Sequence, residues 1–171
     1  PSSGSDTTTW TRPGHSPGPR RVHRYAPGMT ARPPFTSALV TGASSGIGEA
    51  MVRRLADQGV PQVIVARRAD RLQELADAHR DVEVLVADLT TEDGIRTVAE
   101  RIASTAEPVD LVVNNAGFGT SGDFHLLDPE RLDDEIHLNI RALTALSHAA
   151  LAAMECGAER FGRESSGQIE A

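Results

Sequence analysis

The chain contains no lysine: all 17 of its basic residues are arginine. That absence excludes a lysine Schiff base, a lysine general base and a phosphate-loop lysine from any chemistry carried by these 171 residues. Aromatic residues are scarce, six in all, and the single cysteine, Cys156, cannot close an internal disulfide. No Cys/His cluster has the spacing of a zinc site, so no metal ligand is expected. No apolar run approaches the roughly 18–20 residues of a membrane span, and the N-terminus lacks a secretory h-region. These absences together predict a reducing, cytoplasmic setting and no membrane partner.

What is present is unevenly placed. Residues 1–34 hold five Arg and one Asp, a charge of +4, whereas the remaining 137 residues hold 12 Arg and 23 acids, a charge of −11. The same 34 residues contain seven of the ten prolines, the only tryptophan, Trp10, and the only tyrosine, Tyr25. Such a stretch has no apolar periodicity to offset the entropy of ordering, so it reads as a disordered extension. Its arginines are scattered among prolines and form no dense patch, and the body of the chain is acidic, which argues against a nucleic-acid partner. Met29 stands six residues before the first strand and reads as a natural start. The Pro/Gly content argues against an amphipathic transit helix.

From Phe35 the texture becomes strand, then helix, repeated. Phe35 to Thr41 is a short apolar run ending in a glycine-rich turn. Ile47, Met51 and Leu55 then recur at helical spacing, with Gly59 at the helix C-terminus. Further strands are predicted at 62–66, 82–87 and 109–113. A helix around Leu72, Leu75 and Ala76 follows the second, and one carrying Ile95, Val98 and Ile102, capped by Thr90 with Asp93, follows the third. Asp128-Pro129-Glu130 opens a last helix over 129–155, with an apolar stripe of Leu132, Ile136, Ile140, Leu143 and Met154. This alternation predicts an α/β fold with a parallel sheet of βαβ units. One domain is expected over residues 35–155, followed by an irregular tail at 156–171.

Between the first strand and the first helix lies Thr41-Gly42-Ala43-Ser44-Ser45-Gly46-Ile47-Gly48. A glycine loop in this context permits a tight turn, brings backbone close to an anion and offers it the free N–H groups of a helix N-terminus, the arrangement by which a doubly wound sheet holds a pyrophosphate.

Three more features follow in order: Asp88-Leu89 after the third strand, Asn114-Asn115-Ala116-Gly117 after the fourth, and Asn139 in the last helix. With the glycine loop, they make the region from about Thr36 to Met154 resemble the short-chain dehydrogenase/reductase family. Taken singly, each has a plainer reading. The Asn-Asn-Ala-Gly run makes a good turn, Asp88 suits a helix cap, and Asn139 suits a satisfied core amide.

The resemblance implies a Rossmann-type sheet of about four strands and a nicotinamide dinucleotide cofactor. Gly42, Gly46 and Gly48 would hold the pyrophosphate, with Ser44 and Ser45 as hydroxyl donors and Ile47 beside them. Asp88 would meet the adenine with Leu89 packed alongside, and Asn114 and Gly117 would border the adenosine. At the end of the second strand, where an acid would accept from a free ribose hydroxyl, stands Ala66-Arg67-Arg68. Two guanidiniums and no carboxylate favour NADP(H) over NAD(H). The competing reading pairs Arg68 with Asp70 or Glu74 of the next helix.

The departure from the family pattern is equally specific. Its chemistry uses a Ser and a Tyr-x-x-x-Lys pair, yet Tyr25 precedes the first strand and no lysine exists. Ser165 and Ser166 fall near the expected serine, but Gly157 to Glu164 is polar where a buried strand should be. Asn139 is thus the only catalytic landmark, and the sequence reads as the N-terminal, cofactor-binding part of an alcohol/carbonyl oxidoreductase. The alternatives are a non-catalytic dinucleotide-binding fragment or a nonfunctional gene product. In a complete chain the resemblance implies a small alcohol or carbonyl substrate and a homo-oligomer.

Overall fold

A computed structural model describes the backbone of residues 35–165 and the side chains of residues 35–155. The expectation of disorder at 1–34 lies outside the described residues. Four strands, β1 (Ala38–Thr41), β2 (Gln62–Ala66), β3 (Val82–Val86) and β4 (Leu111–Val113), alternate with α1 (Gly46–Asp57), α2 (Ala69–Ala78) and α3 (Glu92–Ile102). A 3-10 turn at Phe124–Leu126 leads to α4 (Pro129–Ile136), a π-helical segment at His137–Ala142 and α5 (Leu143–Ser165). The sheet is parallel throughout, in the order β3-β2-β1-β4. This is the order of the first four strands of a Rossmann sheet, and it brings the C-terminal ends of β1, β2, β3 and β4 to one edge.

Every residue of β1 and β2 is buried, as befits central parallel strands covered on both faces. Alternation sorts their side chains. Leu39, Val63 and Val65 face a core completed by Ile95, Val98 and Ile102 of α3 and by Ala142, Leu146 and Ala150 of the last helical run. Val40 and Ile64 face the opposite core, with Val52 and Leu55 of α1 and Leu72 and Leu75 of α2. Gly59, at φ +70°, ends α1 in the left-handed conformation expected for a helix C-terminal glycine.

Local details depart from the sequence reading. The cap of α3 is Thr91, whose hydroxyl accepts from the Gly94 amide at 3.1 Å; Thr90 instead bonds to Asp88. Asp128 and Pro129 do open α4, the Asp128 carboxylate accepting from the Glu130 amide at 3.1 Å. The single helix expected over 129–155 is interrupted by the π-helical segment, and helix continues to Ser165, so residues 156–165 are not an irregular tail.

The expected stripe is corrected in part, since Met154 does pack against the core. Leu138, Ala142, Leu146 and Ala150 face the core, whereas Ile136, Ile140, Leu143 and Leu151 are exposed. The inward face thus mixes leucine with alanine, and Ala145, Ala149 and Ala153 pack beside it.

Candidate functional site

The C-terminal ends of the strands enclose an open cleft of about 440 Å³, within the range of small-molecule and cofactor sites. Its floor is the loop between β1 and α1. Gly42 takes φ +66°. A Cβ on Gly48 would lie 2.3 Å from the Gly42 carbonyl oxygen and 2.5 Å from Asn115 Nδ2, so only glycine allows the loop to fold this tightly onto α1. Ser45 precedes α1 without a side-chain capping bond, so it offers no hydroxyl acceptor to the first-turn amides, which remain a donor set for an anion.

Thr41, 1 % exposed, ties the floor to the opposite wall. Its hydroxyl accepts from the amides of Asn115 and Ala116, both at 3.0 Å, and donates to the Val113 carbonyl at 3.3 Å. Asn115 completes the tie, its Nδ2 donating to the carbonyls of Thr41 and Gly42 at 3.0 and 3.3 Å. Neighbouring Asn114 turns the other way, donating to Ser147 Oγ of α5 at 3.1 Å.

At the end of β2, Arg68 Nη2 donates to the Ser44 carbonyl at 3.0 Å and to its hydroxyl oxygen at 3.1 Å. Arg68 therefore faces the glycine loop, not Asp70 or Glu74. Ser44 is 9 % exposed, and its own O–H finds no acceptor among the described residues. Arg67 lies 3.9 Å from Asp88 Oδ2 across the cleft mouth, and Asp88 Oδ1 accepts from the amide and hydroxyl of Thr90 at 3.0 and 2.9 Å. Glu49 stays ionised near this basic corner. The hydrogen bond from Arg53 holds its carboxyl below the ordinary value, with Arg71 and Arg68 acting in the same direction.

Of the residues singled out from the sequence, Gly42, Ser44, Ser45, Ile47, Arg67, Arg68, Asp88, Leu89 and Gly117 line this one cleft. Gly46 and Gly48 shape the loop, and Asn114 supports the wall from behind. Asn139, in the π-helical segment, also stands behind it: its side chain accepts from the Phe118 amide at 3.2 Å and donates to the Phe118 carbonyl at 2.7 Å. The side chain of Ser165 and all of Ser166 lie outside the described residues. Sequence reasoning overlooked Thr41 and Asn115 as the tie, though both lie inside the motifs that it quoted. It also missed Phe118, Leu138 and Thr90 in the lining, which no local pattern marks.

A family model described as short chain dehydrogenase matches residues 36–169. The chain belongs to the short-chain dehydrogenase family. An uncharacterised oxidoreductase of Staphylococcus epidermidis is 36 % identical over 115 residues, which cover 67 % of this chain and 50 % of that protein. A short-chain dehydrogenase from Sphingobium yanoikuyae in complex with NADPH is 40 % identical, with a TM-score of 0.64 over 67 % of this chain and 46 % of that one. L-sorbose reductase from Gluconobacter frateurii, complexed with NADPH and L-sorbose, is 32 % identical, with a TM-score of 0.64 over 71 % and 48 %. The chain thus spans about half the length of the short-chain dehydrogenases that it matches.

Among the described residues no group of His, Cys, Asp and Glu could hold a metal ion, and no helix is long and apolar enough to cross a membrane.

Proposed function

We propose that the cleft binds a nicotinamide dinucleotide, NADP(H) in preference to NAD(H), and that the chain supplies the cofactor-binding part of an alcohol/carbonyl oxidoreductase of the short-chain dehydrogenase type. The observation that carries the preference is the basic corner beyond β2. Arg68 is already hydrogen-bonded to Ser44, Arg67 stands across from Asp88, and no carboxylate occupies Ala66-Arg67-Arg68 to repel a 2′-phosphate. The glycine loop fits a pyrophosphate by its tight fold, its uncapped amides and the undonated hydroxyl of Ser44. The NADPH bound to its structural relatives supports the same reading.

The cofactor would supply hydride chemistry, while these residues bind and orient it. Asn139 would act as the family's helical asparagine, and through Phe118 it sets the wall beside the cofactor. The Tyr-x-x-x-Lys pair is not among these residues, because the chain has no lysine. That observation favours the second reading for the chain taken alone: a dinucleotide-binding module without turnover. A cytoplasmic setting and a homo-oligomer in a complete chain accompany the first reading as proposals.

The test is a titration of the 171-residue chain with NADPH and NADH, followed by an assay with alcohols and ketones. Tighter binding of NADPH with no turnover above background is expected. Equal affinity for the two cofactors would remove the assigned preference, and an NADPH-dependent rate would overturn the claim that the chain alone is inactive.

A further inference from the structure

The wall of the cleft opposite the glycine loop is the segment after β4, and Gly117 and Phe118 of that wall line the cleft directly. Three side chains from the following helical run reach it. Asn139 makes two hydrogen bonds to the Phe118 backbone, and it sits so close to Gly117 that a Cβ there would lie 2.9 Å from Asn139 Oδ1. Glu135 Oε2 accepts from the Thr120 amide at 2.8 Å. The Arg131 guanidinium lies over the Phe118 ring, 4.8 Å from its centroid.

Residues 131, 135 and 139 are spaced by four, which places them on one side of the helical run. Glu135 also answers a need of its loop. Among the described residues the buried Thr120 hydroxyl has no partner, and the bond from its backbone N–H to Glu135 is the hydrogen bond observed at this residue. We propose that Glu135, assisted by Arg131, is a positioning residue for the cofactor site: the stripe Arg131–Glu135–Asn139 splints the Gly117–Thr120 wall, and so sets the width of the cleft. A carboxylate accepting from an amide is stronger than a neutral pair and fixes direction. Arg131 adds a cation–π contact that holds the Phe118 ring in one place. Sequence inspection reaches Asn139 and stops there, because Glu135 and Arg131 acquire this role only when the loop folds back on α4.

This inference rests on the reading that the cleft takes a nicotinamide dinucleotide, and the test separates the two. The full chain and its E135L, E135S and E135Q variants are titrated with NADPH and with NADH, at a temperature where circular dichroism shows each variant folded. Hydrogen exchange is followed at the amides of Phe118 and Thr120. E135L and E135S, which cannot reach the Thr120 amide, are expected to bind both dinucleotides about five- to tenfold more weakly and to exchange those amides faster. E135Q keeps an acceptor at the same reach and is expected to bind within about twofold of the unsubstituted chain. E135S carries the test should E135L fail to fold. Unchanged affinity in a folded E135L or E135S variant, or E135Q as impaired as E135S, would overturn the positioning role and leave the cofactor reading standing. Failure of the unsubstituted chain to bind either dinucleotide would overturn both.

Discussion

Arg68 donates to the carbonyl oxygen of Ser44 at 3.0 Å and to its hydroxyl oxygen at 3.1 Å, joining the end of β2 to the glycine loop. Its neighbour Arg67 makes no such bond and stands 3.9 Å from Asp88, both side chains well exposed to solvent. Adjacent arginines at one corner of the cleft are therefore not equivalent: one braces the loop, and the other is held only by a weak surface ion pair.

This difference predicts a split between the cofactors. R67A is expected to weaken NADPH by about 1.5–3 kcal/mol, the worth of a charged hydrogen bond, and to leave NADH within about twofold. R68A should weaken NADPH at least as much and also NADH, because the glycine loop loses its brace. Fluorescence titration of both variants with both cofactors checks this. Equal losses for NADPH and NADH in R67A would remove that residue from 2′-phosphate recognition.

Gly48 offers a test of the loop itself. A methyl group there would meet the Gly42 carbonyl oxygen at 2.3 Å and Asn115 Nδ2 at 2.5 Å, and neither can retreat without disturbing the bonds from Asn115 Nδ2 to the Thr41 and Gly42 carbonyls. G48A is expected to cost about 1–3 kcal/mol of stability by overpacking. It should weaken NADPH and NADH together by tenfold or more, since the pyrophosphate floor is common to both. A thermal melt and the same pair of titrations measure it, and an unperturbed affinity would mean that the loop can relax around the methyl.

How far the sequence foretold this arrangement depends on how local each signal was. The strand runs, the glycine loop and the Asp128-Pro129 start of α4 are set by neighbours in sequence and fall where the pattern puts them, except that β1 begins only at Ala38 and β4 only at Leu111. The cap of α3 moved by one residue, since Thr90 and Thr91 both qualify and the Asp88 carboxylate claims Thr90. The last helical run misled more deeply. Ile136, Ile140 and Leu143 form one stripe and Leu138, Ala142, Leu146 and Ala150 another, and hydrophobicity alone does not choose the second. The choice is made by packing against α3 and the sheet, and nothing local announces the π-helical turn within the run. Likewise Asn114 and Asn115 are indistinguishable in sequence, but alternation along the chain turns one toward Ser147 and the other to the glycine loop.

The corrected helix face yields a stability contrast. Leu146 is 1 % exposed and belongs to the same core as Val98 and Ile102, whereas Leu143, one turn earlier, is 45 % exposed. L146A is expected to cost about 2–5 kcal/mol through lost burial and the cavity left behind. L143A should stay within about 0.5 kcal/mol, as for an ordinary surface position. Urea unfolding of the two variants checks the ranking, and a reversed order would restore the stripe that the sequence suggested.

The ion pair between Glu92 at the start of α3 and Arg141 in the π-helical segment predicts a pH dependence. Arg141 makes two hydrogen bonds to the Glu92 carboxylate, through Nε and Nη2. The strongest influence on each group is this contact: it holds the Glu92 carboxyl below its ordinary value and raises Arg141 above its own. A carboxyl whose folded-state pKa is depressed contributes stability above its unfolded value, near pH 4.3, and loses that contribution as pH falls through the folded value. Arg141 remains charged throughout this window. The difference in urea midpoint between the unsubstituted chain and E92Q should therefore be present at pH 7 and shrink as pH drops below about 4. Both groups are solvent-exposed, so added salt should shrink the pH 7 difference as well. A difference that persisted unchanged at pH 3 would mean that Glu92 supports the π-helical turn through packing rather than charge.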